Sequence, residues 1–405
     1  MKLMQRLLNN IVNSAKNKIR KNSTLGKVIV ILFIISVAQG CNNKSEQKSA
    51  AMTDTSGTKV VIAKEVKTYS DNRPNAKYRL EAIDQGIVFK HGEGPDSCDY
   101  LGARDIWVWK YNDTYYMHYD GAGPKGWLAC LAVSKDLINW SAKGPVLQLG
   151  KPGSNDCASA SYGTTYFDGN QWYMFYLGTP HATSAPDYVP SPPYLTMMAK
   201  SNSPSGPWMK EPAVIPFRPS DMSVTNYGAS SIVVASPGMI IKSGAEYLMF
   251  FSWGGYSLKT KKGPFGNISI AHTKKLDGKW TIVPQPILPG EDDCENSSLY
   301  FEPANQTWFL FTDHIGDGYT DAIWVYWSKN LTKWDSANKA VVLDSHNCKW
   351  SKHIIGLPSV VQVGNKLAIF YDGNGESAIP PGVKSHMKRD IGLAWLNLPL
   401  IPPGK

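Results

Sequence analysis

The sequence predicts an all-β chain, a five-bladed β-propeller behind an N-terminal lipoprotein signal and a flexible tether. Three observations carry that prediction. An apolar strand, a polar turn and an aromatic strand recur from residue 104 onward, at intervals of roughly 60 residues. Each strand is short, rich in β-branched and aromatic residues, and bounded by Gly, Pro, Asn or Asp. After residue 90 no amphipathic helix of useful length interrupts the pattern.

The first 40 residues read as a targeting segment. A basic stretch from Lys2 to Lys27 precedes an apolar run from Val28 to Ala38, which ends at Gln39-Gly40-Cys41. The run is shorter than the roughly 20 residues a membrane span requires. Small residues before a cysteine fit a bacterial lipoprotein signal, with Cys41 lipidated. The other reading is an uncleaved anchor helix with an incidental cysteine. The expected location is the bacterial cell envelope, lipid-anchored, at the periplasmic or surface face of the outer membrane. Residues 41–70 are polar and read as a tether, and 71–405 as the propeller domain.

The formal charge of +9 belongs largely to the signal. Seven of the 42 basic residues precede Cys41 and none of the 33 acidic ones does, which leaves +2 for the remainder. That balance gives no argument for nucleic-acid binding. Five cysteines follow Cys41, at 98, 130, 157, 294 and 348. Their spacings match no zinc pattern, and the odd count leaves at least one thiol free.

The repeats justify the blades in order, at approximately 104–148, 158–216, 232–288, 294–344 and 354–400. Asp105-Ile-Trp-Val-Trp-Lys turns at Asn112-Asp113 into Tyr115-Tyr-Met-His-Tyr. Tyr162-Gly-Thr-Thr-Tyr-Phe turns at Asp168-Gly into Trp172-Tyr-Met-Phe-Tyr. Gly238-Met-Ile-Ile-Lys turns at Ser243-Gly244 into Tyr247-Leu-Met-Phe-Phe. Leu299-Tyr-Phe turns at Pro303-Ala-Asn into Trp308-Phe-Leu-Phe, and Pro358-Ser-Val-Val-Gln-Val turns at Gly364-Asn365 into Leu367-Ala-Ile-Phe-Tyr. Ser134-Lys-Asp-Leu-Ile-Asn-Trp140 and Ser328-Lys-Asn-Leu-Thr-Lys-Trp334 are a further shared element. One such unit leaves both faces of its sheet uncovered, whereas radial stacking covers them and protects the edges. The fifth copy lacks a last strand, and Gly86–Lys90 is the expected one to complete it.

Two acids stand at the start of otherwise apolar innermost strands. Asp105 opens the first and Glu295 the fourth, at equivalent positions of the repeat, which places both at a channel mouth. Two converging carboxyls suit glycoside hydrolysis, one as acid and one as base or nucleophile. Each alone also reads as a capping or turn residue. Trp253, before Gly254-Gly255, is the expected loop platform for a sugar ring, with Trp107, Trp109 and Trp172 as weaker stacking candidates. His353, His386 and Arg389 are candidates for substrate contact, and Arg389 for clamping a carboxylate or sulfate; the ordinary alternatives are loop histidines and a surface salt bridge. Arg104 is expected to point away from Asp105 unless a bulge re-aims it.

Over most of residues 100–396 the chain resembles the five-bladed β-propeller glycosidases of glycoside hydrolase families 43, 32 and 117. The resemblance rests on Asp105-Ile-Trp-Val-Trp-Lys-Tyr-Asn-Asp-Thr-Tyr-Tyr, on Glu295 with Leu299-Tyr-Phe and Trp308-Phe-Leu-Phe, and on the Ser-Lys-Asp-Leu-Ile-Asn-Trp element. It implies a hydrolase acting on a polysaccharide-derived oligosaccharide. Asp105 would be the base, or nucleophile as in family 32, and Glu295 the general acid. Ile106 and Asn296-Ser297 depart from the Pro and Gly-Pro usual after these acids. The third-blade Asp that tunes the acid is replaced by Ser236, with Asp156 and Asp221 as candidate substitutes. His314 would contact substrate, or act as the acid as a histidine does in family 117, or be an ordinary loop residue. No cofactor is implied; the one metal the resemblance offers is a structural calcium ion near His353. The expected partners are an oligosaccharide or polysaccharide, with an acidic or sulfated one among the options, and a membrane through the lipid anchor. The alternative is a carbohydrate-binding propeller without turnover. A transferase or phosphorylase is a third reading, and no basic cluster beside Glu295 supports it.

Overall fold

The computed structural model describes residues 60–62, 76–258, 262–314, 322–378 and 382–404. The signal segment, Cys41 and most of the tether lie outside them. The described residues belong to one compact unit, Ser56–Lys405.

Its described residues are all-β, with only short 3-10 turns besides strands. It opens with β1 (Val60–Ile62), β2 (Tyr78–Leu80) and β3 (Ile83–Phe89). The first repeat forms β4 (Gly102–Tyr111), β5 (Thr114–Gly123), β6 (Gly126–Ser134) and β7 (Trp140–Pro145). The second forms β8 (Ser159–Phe167), β9 (Trp172–Thr179), a small hairpin of β10 (His181–Ala182) and β11 (Pro190–Ser191), then β12 (Leu195–Ser201) and β13 (Met209–Lys210). The third forms β14 (Ser231–Ser236), β15 (Ile240–Ser243), β16 (Glu246–Ser257), β17 (Lys262–Thr273) and β18 (Thr281–Ile282). The fourth forms β19 (Cys294–Glu302), β20 (Thr307–His314), β21 (Ala322–Ser328) and β22 (Lys339–Leu343), and the last β23 (Ile355–Val363), β24 (Lys366–Gly373) and β25 (Asp390–Asn397).

Each repeat becomes an antiparallel meander; in the third, β14 and β15 both pair with β16. The strand before the first repeat, β3, pairs antiparallel with β25 and supplies the outer strand of the last sheet. One segment read as tether is structured. The β-branched run Val60-Val61-Ile62 pairs with β2, and β2 runs parallel to β22 at the edge of the fourth sheet. Pairing a short β-branched strand satisfies its backbone and covers that edge.

The shared Ser-Lys-Asp-Leu-Ile-Asn-Trp element has a mechanical basis. Asp136 accepts the backbone N–H groups of Ile138 and Asn139, at 2.9 and 2.8 Å, which closes a tight turn. The indole N–H of Trp140 then donates to the Leu137 carbonyl at 2.9 Å, and Trp334 donates to Leu331 at the same distance. The Leu and Trp of each copy pack on the meander core.

The aromatic second strands fill the space between sheets. Tyr119, Tyr176, Phe251, Phe311 and Tyr371 are fully enclosed. The hydrophobic clusters run across neighbouring meanders: one joins Phe309 and Val325 to Ile369 and Leu396, another Val108 and Met117 to Phe370 and Leu393. Among the described residues each large cluster spans two or more meanders, so the meanders hold one another in place, and with them the inner strand ends that carry the site.

Candidate active site

The inner strands of three meanders break register at the same point. Arg104 pairs with Asp120 before a bulge, Glu295 with Asp313, and Gly356 with Asp372. A residue in the left-handed region follows in each: Asp105 (φ 47°), Asn296 (φ 57°) and Leu357 (φ 35°). Such a conformation strains a residue with a Cβ and re-aims its side chain. The register corrects one expectation: Asp105 corresponds to Asn296, and Glu295 to Arg104. The two acids stand one position apart in the repeat, Asp105 in its bulge and Glu295 on the ladder before its own.

The bulge brings Arg104 and Asp105 together instead of apart. Arg104 Nη2 lies 3.1 Å from Asp105 Oδ2. The Asp105 N–H donates to Asp372 Oδ2 at 2.9 Å, and Arg389 Nη1 lies 3.1 Å from Asp372 Oδ1. The guanidinium of Arg104 also stands 4.5 Å over the buried Trp127 ring. Its Nη1 donates to His386 Nδ1 at 2.6 Å. Because Arg only donates, that nitrogen of His386 accepts and Nε2 carries the hydrogen. Burial, then the Arg104 and Arg389 charges, push His386 well below the usual histidine range, so its ring is neutral.

Glu295 is half-buried and makes no hydrogen bond or ion pair through its carboxyl with a described residue. Burial, followed by the negative charge of Asp105, pushes it up from 4.5 to about 7. Burial also raises Asp105, against the opposing pull of Arg104. The phenol of Tyr162, raised by burial and by the acids around it, donates to the Pro237 carbonyl at 3.2 Å. Asn296 Nδ2 donates to Asp313 Oδ1 at 3.1 Å. The cluster therefore holds one carboxyl poised to carry a proton at neutral pH and another held against arginine.

Sequence reasoning missed Asp120, Asp313 and Asp372. All three stand on an aromatic second strand opposite the residue before the bulge, in Tyr119-Asp120, Thr312-Asp313 and Tyr371-Asp372. Extending the first and fifth copies by one residue and the fourth by two would have found them. The second and third repeats carry Leu177 and Ser252 there, and Ser252 Oγ accepts the Asn296 N–H at 2.7 Å.

Several expected site residues stand elsewhere. Trp253 is 2% exposed and lies within β16, packed at 4.7 Å against Tyr227; Gly254-Gly255 continue the strand and form no loop. It is core, not a sugar platform. Trp107 and Trp172 are buried in strands β4 and β9, and Trp109 stacks on Tyr116 at 5.4 Å. Asp156 is bound by Lys210 Nζ at 2.5 Å, Tyr176 and Ser154, contacts that hold its carboxyl low despite burial. Asp221 is exposed and accepts the Arg218 N–H. Neither is among the main charges acting on Glu295, which are Asp105, Arg104, Asp293 and Arg389. His314 is fully buried, its ring 3.7 Å from that of Trp324 and its Nε2 within 3.0 Å of the Tyr326 hydroxyl. It helps hold the start of β19 through Cys294. His353 is half-buried in the bend before β23 and has no side-chain hydrogen bond to a described residue. Arg389 is half-buried and paired with the buried Asp372 beside the acids, not in a surface salt bridge.

No group of three or more His, Cys, Asp or Glu among the described residues has metal-holding geometry, so His353 has no carboxylate set there to share a calcium ion. The cysteines at 98, 130, 157, 294 and 348 are free thiols. An open cavity of about 480 Å³ beside Tyr100, Leu101, Pro186 and Tyr188 is walled by apolar groups and has no acid for proton transfer.

No family model and no curated protein matches the chain. Solved structures do. The α-L-arabinofuranosidase PaAbf62A from Podospora anserina, in complex with cellotriose, superposes with a TM-score of 0.56 at 14% identity, over 79% of this chain and 97% of that one. BT0996 in an RGII complex gives 0.60 at 15%, over 80% and 96%. A thermostable family-43 glycoside hydrolase gives 0.50 at 14%, over 78% and 98%. The chain has the fold of the propeller-type glycoside hydrolases. Against that fold, the Asp105–Glu295 cluster lies where the inner strands of adjoining sheets begin, on β4, β19 and β23.

Proposed function

We propose that this chain is a glycoside hydrolase, built as five blades around one axis, that cleaves a polysaccharide-derived oligosaccharide. Glu295 is the general acid and Asp105 the base that activates water or attacks directly. The observation that carries this reading is the Glu295 carboxyl, half-buried, free of ion pairs with described residues and pushed up to about 7. A solvated surface acid has no such proton at neutral pH, whereas a leaving oxygen needs one. The strain at Asp105, with Arg104 favouring its charged form, suits the complementary role. Complexes of the similar folds with cellotriose and with RGII support an oligosaccharide as ligand. Lipidation at Cys41 and display in the cell envelope complete the proposal.

The Arg104–Asp105 ion pair favours the rival reading, a propeller that binds sugar without turnover. A screen of the purified domain against plant and algal oligosaccharides separates the two by released sugar. Binding of an oligosaccharide that is returned intact after long incubation supports the rival and sinks the hydrolase.

A further inference from the structure

Asp120 has no part in a two-carboxyl scheme, yet it is fully enclosed beside it. It lies on β5 opposite Arg104 and is 0% exposed. Its Oδ1 accepts the Tyr162 N–H. Its Oδ2 is buried and receives no hydrogen from any described donor. The group within its reach is another acid, the carboxyl of Asp105. Two carboxyls in contact, one of them fully enclosed, do not both stay charged, and a single proton between them makes a hydrogen bond. Arg104 decides which keeps the proton, because its Nη2 pairs with Asp105 at 3.1 Å while Asp120 has no ion pair among the described residues. The other groups facing the pair are Glu295, Asp372, Arg389, His386 and the phenols of Tyr162 and Tyr194. Arg389 is engaged by Asp372 and His386 is neutral, so neither supplies Asp120 with a countercharge.

We propose that Asp120 is a positioning residue that stays protonated at neutral pH and donates a hydrogen bond to Asp105. This rests on the reading of Asp105 as the base. The bond fixes the carboxylate in one orientation and leaves its other lone pairs for the proton of water. Burial and the Asp105 charge, which push the Asp120 carboxyl well up, agree with this.

The test uses the mature domain labelled with 13Cγ-aspartate, with the Asp120 resonance assigned by its loss in D120N. The expected result is a carboxyl carbon that keeps its protonated shift from pH 5 to pH 8. In hydrolysis of whichever oligosaccharide the wild type cleaves, D120A is expected to lose roughly 30- to 100-fold in kcat with KM within about threefold. D120N, which keeps a donor toward Asp105 and an acceptor for Tyr162, is expected to recover most of that loss. A carboxylate shift at pH 7, or a D120N variant as impaired as D120A, overturns the proposal. The carbon shift is read without substrate, so an inactive wild type would overturn the hydrolase and still leave the Asp120 proton decided.

Discussion

Replacing Glu295 with Gln is expected to make the fold more stable at alkaline pH while removing hydrolysis. In the folded protein Glu295 holds its proton to about 7, against 4.5 when solvated. Below pH 4.5 the carboxyl is protonated in both the folded and unfolded chain, so it has no effect on stability. Between 4.5 and about 7 only the unfolded chain ionises freely, and stability falls as pH rises; above about 7 the loss is complete. The difference corresponds to at most ~3 kcal/mol, and less to the extent that water reaches the half-buried side chain. Gln has nearly the same shape and no charge to desolvate. In a domain of this size the gain corresponds to a melting temperature higher by up to roughly 5 °C. Thermal denaturation of wild type and E295Q at pH 4.5 and pH 8.5 reads it directly. A difference that is absent at the lower pH and present at the higher one is expected. Equal differences at both, or a variant less stable at pH 8.5, would refute the claim that this carboxyl is held out of water.

Other outcomes follow from the same structure. Asp156→Asn breaks the Lys210 pair and is expected to cost roughly 2–4 kcal/mol at pH 7. Because that carboxyl is held low when folded, the loss should shrink as pH falls below 3.8; a shifted pH–rate profile would restore Asp156 as the residue that tunes the acid. Trp253→Ala should destabilise the fold by about 3–5 kcal/mol as a core cavity, while Trp253→Phe leaves KM within about twofold, and a large KM rise in the Phe variant would return it to the sugar site. Deleting residues 71–92 removes β3, exposes the edge of β25 and should lower the melting temperature. An unchanged melt would mean the last sheet does not need that strand.

The repeat made the fold legible because its signals are local. Turn residues, strand composition and the Leu-to-Trp turn lie within a few residues of one another, and the meanders follow from them. Asp105 and Glu295 were legible for the same reason: a charge at the head of an apolar strand breaks the pattern. What the pattern hid was register. A bulge adds one residue without leaving a mark, so Asp105 and Glu295 looked equivalent although Asn296 is the true counterpart of Asp105. The partners Arg104, Asp372, His386 and Arg389 meet across the junction of the first and last sheets, some 270 to 280 residues apart in sequence, a distance that no local reading spans. Trp253 misled because Gly-Gly reads as a loop, while here glycines let neighbouring backbone approach closely, Gly255 to Ser231 and, on the facing strand, Gly266 to Trp253.

The central claim is that Glu295 gives its proton to a leaving oxygen while Asp105 works from the other side. The most direct measurement is the pH dependence of sugar release by wild type, E295Q and D105N on one cleaved oligosaccharide. The expected result is a wild-type rate that falls as pH rises through about 7, and a loss of at least about 100-fold in each variant with the fold intact. Near-full activity in either variant would contradict it.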